Sequence, residues 1–255
     1  MVRAIMHGCN GAMGQVITNL IAEDPGIELV AGVDINTEQK NGYPVFASLA
    51  ECDVEADVVI DFASAKATDA LLAAMVEKKL PGVLCSTGLS EEQLEAVKEA
   101  STKVAILKSA NMSLGINTLF KVLKMVTPIL AEAGFDMEIV EKHHNRKLDA
   151  PSGTALALAD AINDGVLDGE YEYKYDRSQD HKKREKKEIG ISAVRGGTIV
   201  GDHDVIFAGT DEVITFSHTA YSRAIFGKGA IQAAKYLAGK PAGFYHMSDV
   251  INAQV

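Results

Sequence analysis

The 255-residue sequence predicts an α/β protein: a Rossmann-type doubly wound parallel sheet, joined to a second α+β domain with a mixed or antiparallel sheet. Three observations predict this. Short apolar runs alternate with helical stretches through the first third of the chain, as repeated strand–helix units do. A glycine-rich turn links the first run to the first helix. Beyond about Asn111, strand-like segments follow one another without intervening helices.

Residues 4–7 form a short strand, 12–22 a helix by their periodicity, and 27–33 a second strand ending at Asp34. Val58-Val59-Ile60-Asp61-Phe62 is a continuous apolar strand of the kind buried on both faces. Residues 65–79 read as a helix, 83–86 as another buried strand, 90–100 as a helix opened by a cap-like Ser-Glu-Glu-Gln, and 104–107 as a further strand. A longer apolar helix over 114–133 begins the second domain, whose strands lie at 136–142, 188–195, 198–207 and 213–218. The helix over 223–237 sets Ala230, Ala233, Ala234 and Leu237 on one face, suited to packing back on the first domain. The expected division is 1–114 plus 222–255 for dinucleotide binding, and 115–221 for substrate binding and oligomerisation.

The formal net charge of −10 argues against nucleic acid and acidic membranes as partners, so an anionic ligand needs a local basic cluster. Cys9, Cys52 and Cys85 are odd in number and far apart, with neither a disulfide framework nor metal-ligand spacing. No metal is expected, and a reducing compartment is. The N-terminus runs directly into a strand without a signal-peptide core, and no uninterrupted apolar stretch reaches bilayer length. A soluble cytoplasmic protein follows as the expectation. The charged run over 182–187 is interrupted by Glu185 and lacks aromatic interleaving, which suits a solvated loop.

Gly8-Cys9-Asn10-Gly11-Ala12-Met13-Gly14 sits between the first strand and first helix, with GxxGxxG rather than GxGxxG spacing. Gly8 allows the sharp turn, Gly11 lets the backbone approach a pyrophosphate, and Gly14 lets the helix pack close to the sheet. Asp34 follows Gly14 by about 20 residues, the distance at which an acid meets the ribose hydroxyls of NAD. Its carboxylate would repel a 2′-phosphate, and Ile35 and Asn36 offer no neighbouring cation, although Lys40 is in range. NADH is therefore expected to serve at least as well as NADPH. Cys85-Ser86-Thr87-Gly88 and Ala110-Asn111-Met112-Ser113 follow two later strands, where small polar residues suit a nicotinamide or its ribose.

The block over 141–155 reads E-K-H-H-N-R-K-L-D-A-P-S-G-T-A. It joins two histidines and two cations to a turn that feeds a helix N-terminus, which Ser152 or Thr154 can cap. Exposed amides at a helix start bind anions. Hydride addition leaves negative charge that a proton must quench; His143 or His144 can supply that proton, and the Lys147 ammonium can steady the charge. Thr154 with the amides of 152–154 can clamp a carboxylate. Arg195-Gly196-Gly197 reads as a surface hairpin, with Arg195 a secondary candidate for the anion site.

These segments, with Gly201-Asp202-His203 and His218-Thr-Ala-Tyr-Ser-Arg, resemble the 4-hydroxy-tetrahydrodipicolinate reductase (dihydrodipicolinate reductase) family in order along nearly the whole chain. The resemblance implies NAD(P)H-dependent reduction of a cyclic dicarboxylate imine precursor in lysine and diaminopimelate synthesis, by a homotetramer. By motif position it implies His143 as proton donor or acceptor and Lys147 as second donor or charge stabiliser. His144, Ser152, Gly153 and Thr154 would hold substrate. Gly8, Cys9, Asn10, Gly11, Ala12, Met13, Asp34, Cys85, Ser86, Thr87, Ala110, Asn111, Met112 and Ser113 would line the cofactor. Three departures stand out: no Arg follows Asp34, Ala63 replaces a hydroxyl after Asp61-Phe62, and residues 177–187 lack the expected glycines. Two other readings share the fold. One is a dehydrogenase acting on another small amino or keto acid, resembling aspartate dehydrogenase. The other is a regulator that binds NADH without turnover. The cluster over 147–154, suited to a second carboxylate, favours the reductase.

Overall fold

The computed structural model describes residues 1–109, 111–167 and 169–253. These divide into two units, one of residues 1–114 with 224–255 and one of 115–223.

The first unit opens with β1 (Val2–His7), α1 (Ala12–Ala22) and β2 (Ile27–Val33). It continues through β3 (Val45–Phe46), β4 (Val58–Asp61), α2 (Thr68–Lys78), β5 (Gly82–Leu84), α3 (Glu91–Ser101) and β6 (Ala105–Lys108). The second unit holds α4 (Leu114–Glu132), β7 (Asp136–His143), α5 (Gly153–Asn163), β8 (Glu172–Lys174), β9 (Glu188–Arg195), β10 (Gly201–Ala208) and β11 (Val213–Ala220). The chain then returns to the first unit as α6 (Ala224–Leu237), β12 (Gly243–Tyr245) and α7 (Met247–Asn252).

The first sheet is parallel throughout, in the order β12-β6-β5-β4-β1-β2-β3. Period-2 alternation explains its apolar strands. Ala4 and Met6, Val58 and Ile60, and Ala105 and Leu107 face a core shared with α1, α6 and α7. Ile5, Val59 and Ile106 face the opposite core with α2 and α3. The returning α6 is thus needed to cover one face: Ala230, Ala233, Ala234 and Leu237 are fully buried there. Ser90 starts α3 with a capping box: its hydroxyl accepts from the Gln93 amide, and the Gln93 side chain accepts from the Ser90 amide.

The second sheet is mixed, in the order β11-β10-β7-β9-β8. β10 runs antiparallel to β7 and β11, while β7, β9 and β8 run parallel. Helices α4 and α5 cover one face through Leu119, Leu123, Leu158 and Ile162 against Met137, Ile139, Val205 and Phe207. The short strands β3, β8 and β12 carry too few apolar residues to stand out in the sequence. The expected strand over 198–207 begins later, at Gly201, after a turn.

Helix α4 departs from expectation. It is long and apolar enough to cross a membrane by length and composition, with mean hydropathy 1.4 over its best window. Lys121 and Lys124 lie within it. Core helices meet the same test, and this one lays Leu119 and Leu123 on the second core.

Candidate active site

In the first unit the glycine loop has the predicted mechanics. Gly8 adopts φ +81°, and a Cβ there would sit 3.0 Å from the Phe62 carbonyl oxygen. A Cβ on Gly14 would collide with the carbonyls of Gly8 and Cys9, so only glycine lets α1 start this close to β1. Gly11 is the N-cap of α1 and offers no side-chain cap; the first turn, with Ala12 and Met13, carries no acid. Its amide end is therefore set for an anion.

Asp34, just past β2, accepts from the Asn10 amide at 2.9 Å and the Asn36 amide at 3.0 Å. The Asn10 side chain donates to the carbonyls of Asn36 and Glu38. The acid is thus locked against the glycine loop, where a ribose diol would meet it. Lys40 pairs with Glu38 at 3.7 Å. Cys9 faces away: its side chain is buried beside Tyr43 in space left by Gly32, and burial, with Asp34 nearby, pushes its thiol up to about 11. Any part for Cys9 in cofactor binding falls to its backbone.

The amide of Cys85 donates to the Asp61 carbonyl at 2.9 Å; Ser86 is buried, and Thr87 and Gly88 are exposed. Ala110 lies outside the described residues. Asn111 accepts from the Ser113 amide at 2.8 Å through its side chain, and its carbonyl accepts from the Ser109 hydroxyl. Met112 is buried in the core, its carbonyl against Gly229 of α6.

In the second unit the reacting groups grow out of the sheet pattern. Along β7, Met137, Ile139, Glu141 and His143 alternate onto the buried face. The first two are core; the last two continue that row as polar groups. On β10, His203 lies opposite Glu141, with Val205 opposite Ile139. On β9, Arg195 lies opposite His143. Ser152, the N-cap of α5, closes over this end and accepts from the Ala155 amide at 3.1 Å.

Glu141 is the hub, with no exposed surface. Its two oxygens accept from the Arg195 guanidinium at 2.7 Å each, from His143 Nδ1 at 2.7 Å and from the Ser152 amide at 2.9 Å. Burial pushes its carboxyl up, but the Arg195, His143 and Ser152 hydrogen bonds outweigh burial and hold it below the usual glutamate value. An ionised acceptor at Nδ1 fixes the His143 tautomer and leaves Nε2 to take or give a proton. Gly201 supplies the room: a Cβ there would stand 3.0 Å from Nε2. His203 packs edge-on to His143 at 5.2 Å and shares a 3.1 Å hydrogen bond with the Ser152 hydroxyl. Burial, then the nearby His143, push His203 down to about 4, so it is neutral near pH 7.

Lys147 pairs with Asp149 at 2.9 Å. Among the described residues the buried Nδ1 of His144 has no partner. Gly153 is exposed at the start of α5, and nothing lies within 4 Å of where its Cβ would be. His143, Ser152 and their neighbours are thus brought together beside the N-terminus of α5, where the Gly153 amide lies against the Asp149 carboxylate.

The sequence assigns no role to two members of this cluster, Glu141 and His203, and ranks a third, Arg195, only as a secondary candidate for the anion site. Glu141 was signalled by a charge on an apolar period-2 row. Arg195 was expected in a surface hairpin; instead its guanidinium is drawn to the buried Glu141 and also donates to the Asp149 carbonyl at 2.7 Å. His203 was readable only as punctuation between strands. The 182–187 run is also not wholly solvated: Arg184 reaches Asp136 at 2.9 Å and Glu138 at 3.0 Å. Among the described residues no group of three or more His, Cys, Asp or Glu side chains suits a metal.

A doubly wound parallel sheet with a glycine loop on its first helix and an acid after its second strand defines a nicotinamide-dependent oxidoreductase. Comparison with known proteins narrows the class. Residues 2–112 match the family model described as dihydrodipicolinate reductase, N-terminus, and residues 115–251 match its C-terminus counterpart. The chain belongs to the dihydrodipicolinate reductase family. The 4-hydroxy-tetrahydrodipicolinate reductase of Caldanaerobacter subterraneus subsp. tengcongensis is 55% identical over 251 residues, covering 98% of both chains. That of Clostridium novyi is 47% identical over 254 residues, covering 100% of both. A solved dipicolinate-bound dihydrodipicolinate reductase from Paenisporosarcina sp. TG-14 shares the fold, with TM-score 0.79 at 23% identity over 96% of this chain and 97% of that one.

Proposed function

We propose that the chain reduces 4-hydroxy-tetrahydrodipicolinate to tetrahydrodipicolinate in lysine and diaminopimelate biosynthesis, using NADH at least as well as NADPH. The observation that carries this reading is the buried Glu141–His143 pair beside the N-terminus of α5. It combines an oriented proton-transfer group with an anion seat suited to a substrate carboxylate.

A bound nicotinamide cofactor supplies the hydride. The overall change consumes that hydride and one proton and releases the substrate hydroxyl as water. Gly8, Asn10, Gly11, Ala12, Met13 and Asp34, with the backbone of Cys9, would hold the nucleotide. Cys85, Ser86, Thr87, Ala110, Asn111, Met112 and Ser113 would lie at its nicotinamide end. His143 Nε2 exchanges the proton while Glu141 holds the ring and offsets its charge. Lys147 steadies developing negative charge or serves, in place of His143, as the donor of that proton. His144 and the Gly153 and Thr154 amides bind the two carboxylates, and Ser152 keeps that helix end in place through its cap.

The carboxylate of Asp34 and the Glu38 partner of Lys40 support acceptance of NADH. A homotetramer is carried over from the family resemblance alone. A cytoplasmic location fits the biosynthetic role. The test is NADH oxidation with freshly generated hydroxy-tetrahydrodipicolinate against a panel of keto and amino acids. Turnover with the former alone supports the reading; preference for a keto acid replaces it with the dehydrogenase alternative.

A further inference from the structure

The cofactor loops rest on a second buried carboxylate that none of the motifs above uses. β1 and β4 flank the point where strand order reverses: β2 lies beyond β1, and β5 beyond β4. Doubly wound sheets bind their ligand outside the carboxyl ends at this point. The last residues of those two strands are His7 and Asp61, and both are buried.

Asp61 accepts from His7 Nδ1 at 2.8 Å, from the Ala63 amide at 3.0 Å and from the Ser86 hydroxyl. On the next strand, Lys108 donates from Nζ to the Ser86 carbonyl at 3.0 Å. Ser86 is therefore held at both its hydroxyl and its carbonyl. Thr87, the next residue, is exposed at the strand end. Gly8, which follows His7, packs against the Phe62 carbonyl that follows Asp61. One carboxylate thus sets both the start of the glycine loop and the loop after β5.

Burying a carboxylate costs free energy unless it is paired and hydrogen-bonded. The apolar strand Val58-Val59-Ile60 does not require one at its end. A loop that must be held in one shape for a ligand does. We propose that Asp61, with His7 and Lys108, is a positioning residue for the nicotinamide end of the cofactor, acting through Ser86. The Ser86 hydroxyl proton is committed to Asp61, so Thr87 is the residue of this loop whose hydroxyl meets the ligand. This rests on the reading of the first unit as the nucleotide-binding half.

The experiment compares Ser86→Val, Ser86→Thr and Asp61→Asn with the unaltered protein. NADH and ADP-ribose, which lacks the nicotinamide, are titrated by fluorescence and calorimetry. Ser86→Val and Asp61→Asn are expected to raise the Kd for NADH about tenfold, as loss of one hydrogen bond to a charged group does. Their Kd for ADP-ribose stays within about twofold, and Ser86→Thr, which keeps the hydroxyl, stays near the unaltered value for both ligands. Equal weakening of both ligands, which a general loss of structure produces, overturns the inference. So does unchanged NADH binding in Ser86→Val. Failure of the unaltered protein to bind NADH at all would instead remove the nucleotide-binding reading on which the inference rests.

Discussion

Glu141 and Asp61 are the same device put to two uses. Each is a carboxylate buried towards the carboxyl end of a strand, and each accepts from a histidine Nδ1, at 2.7 Å and 2.8 Å. Each also accepts from a backbone amide, of Ser152 and of Ala63. The difference lies in the last partner. Glu141 takes a two-pronged guanidinium, which neutralises it and fixes its plane. Asp61 takes a hydroxyl, while the Lys108 ammonium is spent on the Ser86 carbonyl. A carboxylate clamped by a guanidinium holds a ring still for proton transfer. One clamped by a hydroxyl holds a loop still for binding. The first should therefore show in kcat and the second in cofactor affinity.

The largest expected effect is on that first arm. His143→Gln should lower kcat by about 10²–10⁴-fold, the range for loss of a general acid or base, while leaving the Kd for NADH unchanged. Lys147→Met should lower kcat and substrate affinity together. Steady-state kinetics and NADH titration check both; turnover unchanged in either variant removes that residue from the mechanism.

Stability separates the hubs next. Glu141→Ala leaves Arg195 and His143 without their partner in a buried place and should cost about 3–5 kcal/mol in denaturant unfolding. Asp61→Asn keeps an acceptor and strands no guanidinium, so about 1–2 kcal/mol is expected. Equal losses would show that the guanidinium clamp makes no difference.

The pH response of the second unit follows from His203. Its folded value of about 4 lies below the ordinary 6.5, so the unfolded chain binds the extra proton between those values. The stability gained by burying it neutral is complete above about 6.5 and lost as pH falls towards 4, about 3 kcal/mol in all. The lowered Glu141 value acts in the same direction at lower pH: its contribution is present above the ordinary carboxylate value and lost as pH falls. His203→Asn should flatten the unfolding free energy between pH 6.5 and 4. An unchanged slope would contradict the assignment.

Much of this was legible in the sequence. Two-sided strands such as Val58-Val59-Ile60 and the Gly8–Gly14 spacing carry their structure in local pattern, and both formed as expected. Ser152 capping α5 was likewise readable from a turn and a following alanine-rich run. The partners of the two carboxylates were not. Arg195 reaches Glu141 across a strand pair separated by 54 residues, and His7 reaches Asp61 across the same separation. Such pairings depend on strand order and register, which no local window contains. The one local clue, a charge on a buried row, is visible at Glu141 and again at Asp61.

The smallest expected effect concerns the cofactor's other end. With Asp34 locked by Asn10 and Lys40 paired with Glu38, kcat/KM for NADH should equal or exceed that for NADPH. A strong NADPH preference would show that Lys40 leaves Glu38 to meet a phosphate.

In the proposed mechanism Glu141 acts through His143. A double-mutant cycle in kcat/KM with Glu141→Gln and His143→Gln tests it most directly. If Glu141 serves the ring, the double variant is no slower than His143→Gln alone. Losses that multiply would mean that the two residues act independently and would contradict the claim.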